Sequence, residues 1–303
     1  MEKDTRYQPL DKASISADQI SRPSVSYWKD AWRRFRKDKL AVFGLIMILI
    51  VSLFAIFGPM LCPYAYDEAD FLSIAQWPSK AHWFGTDALG RDLYVRVLYG
   101  ARISLSIGVV AALVNMVIGV LYGGIAGYFG GVVDSVIMRT LDIFMSVPDI
   151  LFTMAVVVAL GSNFTNLLIA LTLAYFTNYV RLVRSQVLNL SELEYVEAAR
   201  AGGSGNVRII LSHIIPNAVG VIIVNVTLNI AKIIIYESTL SFLGLGMPPP
   251  QPEWGLMLSE AREFMRKAPF LLFYPALAIV LCACSVNLVG DGLRDALDPH
   301  LKS

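Results

Sequence analysis

Four polar side chains within one long apolar run are the residues of this sequence best suited to chemistry inside a membrane. Asn225, Asn229, Lys232 and Tyr236 lie at offsets of 0, 4, 7 and 11 residues within the run 218–240, so a helix would place them on one face. A lysine in such a helix avoids lipid and faces a carboxylate, backbone carbonyls or water. The face predicts either a polar path or hydrogen bonds to a neighbouring helix, and the lysine favours the path.

A second candidate is an acid that follows a proline in another apolar run. Pro148 predicts a kink in the run 132–160, and Asp149 comes directly after it. Ionisable groups at membrane depth are candidates for function, but this carboxylate is equally suited to accept from backbone N–H groups that the proline frees. Asp149 and Glu237 are both possible partners for Lys232, and the sequence does not choose between them.

The chemistry of common enzymes is not indicated. No glycine-rich loop ends in the Gly-Lys-Ser/Thr that holds a nucleotide phosphate, so we do not expect this chain to hydrolyse ATP. Zinc-protease and serine-hydrolase motifs are missing from the sequence. The three histidines and three cysteines are not spaced as metal ligands or as a disulfide framework. We therefore expect no enzymatic activity, no metal and no cofactor in this chain.

Composition and hydropathy place the chain in a membrane. Of its 303 residues, 56% are hydrophobic, which is unusual for a soluble domain. The basic and aromatic stretch 27–39 indicates a cytoplasmic N-terminus by the positive-inside rule. A net charge of +1 does not suggest a nucleic-acid partner. We predict an all-α integral membrane protein with six transmembrane helices. The runs long enough to span a bilayer are 40–61, 103–126, 132–160, 167–187, 218–240 and 271–289.

This topology divides the chain into five parts. Residues 1–39 form a cytoplasmic tail that ends in an amphipathic basic segment suited to the inner membrane surface. The first span, 40–61, leads to an external segment, 62–102. Residues 103–292 contain the remaining five spans as a core, and residues 293–303 form a cytoplasmic tail.

Two patterns indicate how the core helices meet. The fourth run, 167–187, has a polar strip made by Tyr175, Asn178 and Tyr179. The second run carries a stripe of small residues, which predicts close packing against a neighbouring helix. Its glycines recur every four residues, at positions 119, 123, 127 and 131.

A polar interruption between the fourth and fifth runs predicts a short cytoplasmic helix, 192–203. Ser191 and Glu194 match a capping box at its start, and Gly202 and Gly203 can supply a left-handed end. Helical spacing gives the helix a face of small residues with one aromatic at its edge, which would let another protein approach closely. This face consists of Tyr195, Ala198, Ala199 and Gly202.

The same segment resembles the EAA loop of ABC-importer permeases. The resemblance is carried by Glu197, Ala198, Ala199, Gly203 and Pro216. The residues His-Ile-Ile-Pro-Asn at 213–217 are similar to the dipeptide/oligopeptide subgroup of that family. The segments 82–105 and 241–255 and the C-terminal end are similar to the same subgroup. The resemblance therefore covers about residues 28–299 and has the features of a C-type subunit.

This resemblance implies a type I ABC importer permease fold in a bacterial or archaeal cytoplasmic membrane, with both termini inside and 192–203 as a coupling helix. The implied partners are a second homologous permease, two ATPase subunits that bind ATP and Mg²⁺, and an external solute-binding protein. The implied roles are anchoring by Glu197, close approach at Ala198 and Ala199, and a turn at Gly203. Tyr195 and Pro216 complete the predicted coupling site.

The predicted function is ATP-driven import of di- or oligopeptides through a path shared with the second permease. Nickel chelates, glutathione or another small solute are alternatives with the same architecture. A secondary transporter driven by an ion gradient would also use Lys232, Asp149 and Glu237, but the chain lacks inverted halves with paired broken helices. A third reading, a membrane anchor for an assembly, is disfavoured by the polar stripes.

Overall fold

The computed structural model describes residues 27–298, so residues 1–26 of the predicted tail 1–39 and residues 299–303 of the predicted tail 293–303 lie outside the described residues. Within 27–298 the ordered elements are helices, and the only β-pairing is an isolated bridge between Thr86 and Asp92. The helices are α1 (Tyr27–Phe35), α2 (Lys39–Phe57), α3 (Leu93–Ile118), α4 (Gly124–Phe129), α5 (Gly131–Met145), α6 (Asp149–Leu160), α7 (Phe164–Ser191), α8 (Glu194–Ala201), α9 (Asn206–Ile209), α10 (Ile215–Phe242), α11 (Trp254–Ala261) and α12 (Phe270–Leu297).

Five continuous helices in the described part of the chain are long and apolar enough to cross a membrane. Two of them contain a π-helical turn. Gly119–Gly123 joins α3 to α4, and Ile210–Ile214 joins α9 to α10. The five helices are Lys39–Leu61, Leu93–Phe129, Phe164–Ser191, Asn206–Phe242 and Phe270–Leu297.

The third predicted span is broken rather than kinked. Helices α5 and α6 meet at an angle of 82°, so they give a sixth span only if the bent pair counts as one. Pro148 is the residue before α6 and has an extended ψ of 130°. A proline cannot donate to the helix, and its ring clashes with the preceding turn, so the chain leaves the helix after Met145 and starts a new one at Asp149.

The glycine stripe forms a close contact between α3–α4 and α7. A Cβ at Gly119 would lie 2.8 Å from Cβ of Tyr179, and one at Gly127 would lie 2.8 Å from the carbonyl oxygen of Arg184. The predicted packing is confirmed for positions 119, 123 and 127. Gly131 does not take part, since it lies in the turn before α5 with a φ of +54° and open space around it.

These contacts also fix the two ends of the bundle. Later residues of α3–α4 contact later residues of α7, so these two helices run parallel. By contrast, Gly108, in the earlier part of α3, contacts Ile234, in the later part of α10, so α3 and α10 run in opposite directions. Helix α8 and the start of α10 therefore lie at the end of the bundle where α4 finishes. Helix α1 lies at this same end, because a Cβ at Gly220, near the start of α10, would lie 3.1 Å from the Tyr27 hydroxyl oxygen. The same hydroxyl donates to the Leu297 carbonyl at 3.0 Å.

The opposite end carries the segments 62–92 and 243–269, which are joined by buried charges. Arg91 Nε donates to Asp87 at 2.6 Å, and its Nη2 donates to Glu260 of α11 at 3.2 Å. Trp254 Nε1 donates to the Val97 carbonyl at 2.9 Å. Helix α3 begins at Leu93, within the predicted external segment 62–102, with Asp92 as its N-cap.

Candidate functional site

The polar interruption forms a short helix, α8, that is held on the end of α7. The predicted capping box is wrong. Ser191 is the last residue of α7, and its hydroxyl donates to the Leu188 carbonyl at 2.9 Å. The N-cap of α8 is Leu193, which offers no side-chain acceptor. Helix α8 therefore begins at Glu194, later than predicted, because α7 continues through the serine.

The left-handed end of α8 is confirmed, and Gly203 supplies it. Gly203 has a φ of +78°, and its N–H donates to the Arg200 carbonyl at 3.0 Å. The N–H of Ser204 donates to the Ala199 carbonyl at 3.1 Å. A side chain added at Gly203 would meet no atom within 4 Å, so only the backbone conformation requires glycine at this position.

The predicted face of small residues is divided between two environments. Val196 is fully buried and Ala199 packs against the core of this chain, whereas Glu197 and Ala198 are exposed. Tyr195 is 37% exposed. Burial of the rest of its ring raises the pKa of Tyr195, and a hydrogen bond to Asn217 opposes this effect. Ala199 thus seats α8 on its own chain, while Glu197 and Ala198 are open to a partner.

The proline of the predicted motif lies at the first turn of α10, directly after a π-helical turn. Pro216 is exposed, and the π-helical turn comprises Ile210–Ile214. The Asn217 Nδ2 donates to the His213 carbonyl at 2.6 Å, within this first turn. This wider turn was not predicted, because π-helical turns have no simple sequence signature.

Several contacts that sequence reasoning missed hold α8 and the end of α7 to the surrounding helices. The Arg200 guanidinium lies 5.7 Å from the centre of the Tyr128 ring, and the Tyr128 hydroxyl donates to Asn206 at 3.0 Å. On α7, Arg184 forms an ion pair with Asp134 of α5. Arg181 pairs with Asp142 at 2.6 Å, which replaces the short-range Arg139–Asp142 pair that helical spacing permits.

The polar face of α10 and the polar strip of α7 line one cavity. Its volume is 320 Å³. Asn225, Asn229 and Lys232 face it from α10. Helix α7 contributes Tyr175, Asn178, Tyr179 and Leu182. Two separate sequence patterns therefore come together in space, although neither could identify the other as its neighbour.

Tyr236 and Asp149 do not line this cavity. The Tyr236 hydroxyl lies 3.1 Å from the hydroxyl of Thr153, which in turn donates to the backbone carbonyl of Asp149 at 2.7 Å. The Tyr236 ring also packs edge-on against Tyr175, with 5.5 Å between the ring centres. These residues join α6 to α10 beside the cavity.

Lys232 has neither of the carboxylate partners that the sequence allowed. Glu237 is fully buried and accepts from the Ser104 hydroxyl at 3.0 Å. Among residues 27–298, no carboxylate oxygen lies within the 4.0 Å ion-pair distance of the Lys232 ammonium, and Asp149 is no exception.

Comparison with known proteins gives two family matches. Residues 119–303 match the family described as "Binding-protein-dependent transport system inner membrane component". Residues 26–78 match the "N-terminal TM domain of oligopeptide transport permease C". The two matches together include the cavity, α8 and the first span.

Curated relatives match over nearly the full chain. The oligopeptide transport system permease protein OppC of Bacillus subtilis is 45% identical over 98% of this chain and 97% of its own length. A dipeptide transport system permease protein DppC of Alkalihalophilus pseudofirmus is 45% identical over 92% of each chain. A glutathione transport system permease protein GsiD of Escherichia coli is 44% identical over 95% of this chain and 94% of its own.

A solved structure shares the fold. A chain from an inward-facing structure of the MetNI methionine ABC transporter superposes with a TM-score of 0.54, and covers 67% of this chain and 96% of that chain. Its sequence is 19% identical, so the likeness concerns the architecture alone.

Proposed function

The chain belongs to the inner membrane components of binding-protein-dependent transport systems, and from this premise we propose that it carries di- and oligopeptides. It is a multi-pass inner-membrane permease subunit of an ABC importer. The OppC and DppC relatives support peptides as its solutes. The similar identity to GsiD makes glutathione the first alternative solute, and nickel chelates have no comparable support among these relatives.

The partners that we propose follow from the family. A second, homologous permease completes the path, two cytoplasmic ATPase subunits bind ATP and Mg²⁺ and perform hydrolysis, and an external binding protein delivers the solute. This chain contributes translocation without a cofactor of its own. The N-terminus, α8 and the C-terminus lie in the cytoplasm. This orientation is supported by the basic stretch 27–39 and by the common end of the bundle at which α1, α8 and Leu297 lie.

Helix α8 transmits movement of the ATPases to the membrane helices. It follows α7 directly, and its other end leads through α9 and the π-helical turn into α10. Movement of α8 by a partner is thus transmitted to both helices that line the cavity. Glu197 and Ala198 contact the ATPase, Ala199 and Tyr195 hold α8 on this chain, and Gly203 and Pro216 set the return to the membrane.

The solute path includes the cavity between α7 and α10. Asn225, Asn229 and Lys232 line it, and Tyr236 and Asp149 border it through Thr153. Because both walls of the cavity are connected to α8, closure of the ATPases changes the separation of the walls. The path alternates in this way between outward-open and inward-open states.

The single observation that carries this proposal is the exposed surface of α8 that ends at a left-handed glycine. We expect Gly203→Val in the reconstituted complex to reduce peptide uptake and the stimulation of ATP hydrolysis by the binding protein by roughly tenfold, since a side chain in this conformation costs about 1–2 kcal/mol. Gly205→Val is the matched control, because Gly205 has a φ of −68° and equally open surroundings.

Full uptake with unchanged coupling in Gly203→Val, or equal losses in the two variants, would contradict the role of α8. Uptake that survives ATP depletion and collapses with an uncoupler would instead support a secondary transporter. Competition between labelled peptide, glutathione and a nickel chelate for uptake distinguishes the proposed solute from its alternatives.

A further inference from the structure

We propose that Lys232 forms an anion site in the cavity and receives the free terminal carboxylate of the transported solute. The inference rests on the proposed function for the cavity's place on the solute path. It adds the chemical group that the cavity selects, which neither the family match nor the relatives' names specify.

The cavity carries a net positive charge. Lys232 is its one ionisable cation, and no carboxylate is among its lining residues. The neighbouring cations of α7 are already neutralised, because Arg181 pairs with Asp142 and Arg184 pairs with Asp134. The Lys232 ammonium has no ion-pair partner among residues 27–298.

The nearest acid on the same helix does not face the cavity. Glu237 is five residues away from Lys232 but is turned into the helix interface. There it accepts from the Ser104 hydroxyl at 3.0 Å, with the Ser238 hydroxyl at 3.4 Å. The chain thus places its carboxylate in the protein interior and its ammonium in the cavity. An ammonium at membrane depth requires an anion, carbonyls or water as its partner.

The two amides beside the lysine have a defined orientation. Asn225 Nδ2 donates to the Val221 carbonyl, and Asn229 Nδ2 donates to the Asn225 carbonyl, each at 2.9 Å. Each amide uses one of its two Nδ2 hydrogens within α10, and none of the hydrogen bonds of residues 27–298 described above occupies its Oδ1 acceptor. Acceptors next to one cation suit a group that combines a carboxylate with amide N–H donors, as the end of a peptide does.

The cavity is small. At 320 Å³, the cavity is at the lower end of the roughly 300–1,000 Å³ typical of small-molecule sites. It accommodates a terminal residue rather than a whole oligopeptide. Recognition at this wall therefore involves the end of the solute, which is the part that all linear peptides share.

The first test compares a tripeptide with its C-terminal amide in the complete reconstituted transporter. Initial uptake of each is measured for the wild type, Lys232→Met, Lys232→Arg and the control Lys267→Met, which removes an exposed lysine from the opposite end of the bundle. The ratio of the uptake rate of the free acid to that of the amide is compared between variants. Preferences of the binding protein affect all variants equally and therefore cancel in this comparison. We expect the ratio to fall roughly tenfold or more in Lys232→Met, the range for a hydrogen bond to a charged group. The arginine variant retains most of the ratio, and the control retains all of it.

An unchanged ratio with lower uptake of both solutes would overturn the inference, because it would mean that Lys232 pairs with an acid of the second permease. A wild-type complex that carries no peptide would refute the proposed function instead. A second measurement therefore tests the site without any solute.

This second measurement uses a cysteine probe beside the lysine. Asn229→Cys is introduced after Cys62, Cys282 and Cys284 have been replaced, and its reaction rates with anionic and cationic methanethiosulfonates are compared. With Lys232 present we expect the anionic reagent to be favoured, and Lys232→Met should reduce this preference about tenfold. The same preference in both backgrounds would show that the ammonium does not attract anions in the cavity.

Discussion

Substitution of Gly123 tests the close contact between α3–α4 and α7, the helix that leads to α8. A Cβ at Gly123 would lie 2.5 Å from the Val180 carbonyl oxygen and 2.9 Å from the Arg184 nitrogen. Both are backbone atoms of α7, so neither can move away by a side-chain rotation. At the adjacent Gly124, the nearest atom is the Ile210 Cγ2 at 3.7 Å, which is an ordinary contact.

Gly123→Ala and Gly124→Ala therefore add the same side chain at adjacent positions, but only position 124 has room for it. Each gains up to about 1 kcal/mol of helix propensity when glycine becomes alanine. Only Gly123→Ala must separate α4 from α7, and overpacking of this kind costs about 1–3 kcal/mol. For a chain of 303 residues, an unfolding entropy of about 2.1 cal/mol/K per residue gives roughly 1.6 °C per kcal/mol, so Gly123→Ala should melt about 2–5 °C below Gly124→Ala.

The assay is thermal unfolding of both variants in the same nanodiscs, followed by intrinsic fluorescence. Stimulated ATP hydrolysis in the complex provides a functional readout, because separation of α4 from α7 also moves α8. If Gly123→Ala melts at or above the temperature of Gly124→Ala, the close contact between these helices is not what the glycines provide. The argument for a rigid connection from α8 to the cavity would then fail as well.

Two further predictions concern the opposite end of the bundle. Burial raises the pKa of Glu253 above the ordinary value of 4.5, so the folded state binds a proton more tightly than the unfolded chain, and stability should fall as the pH rises above about 4.5. Glu253→Gln should show a flatter dependence of melting temperature between pH 5 and 8, and an equal slope in the two proteins would contradict the assignment. Arg91→Met should lower the free energy of unfolding by about 1.5–3 kcal/mol, because it removes one of the two charged partners of the buried Asp87 and leaves only Arg96, at 3.1 Å. Replacement of an exposed arginine, Arg266→Met, should change the free energy of unfolding little in the same denaturant titration. Similar losses of stability in Arg91→Met and Arg266→Met would exclude a special role for the buried pair.

Much of the fold follows from patterns that act over one helix. Apolar runs of sufficient length predict spans, and glycines four residues apart predict a close helix contact because a side chain there would reach the neighbouring backbone. The turn at Gly203 was predictable for a similar reason, since few other residues adopt a positive φ. The offsets of Asn225, Asn229 and Lys232 identified one wall of the cavity before its other wall was known.

The missed features depend on contacts between distant parts of the chain or on competition between local alternatives. Ser191 is suited to cap α8, but its hydroxyl donates within α7, because α7 continues for one more turn. Pro148 predicted a kink, yet the extent of the bend is set by what packs on either side of it. The partner of Asp142 is 39 residues away, on another helix, and no periodicity in a single helix can point to Arg181.

The contact between Tyr27 and Leu297 has a consequence for biogenesis. Helices α1 and α2 pack mainly against α12, through Phe35, Ala41 and Ala296, so the earliest described helices find their principal neighbour in the latest one. A ribosome releases the first transmembrane segment into the lipid long before that neighbour has been synthesised. A nascent polypeptide that stops before α12 therefore leaves this segment without its principal neighbour.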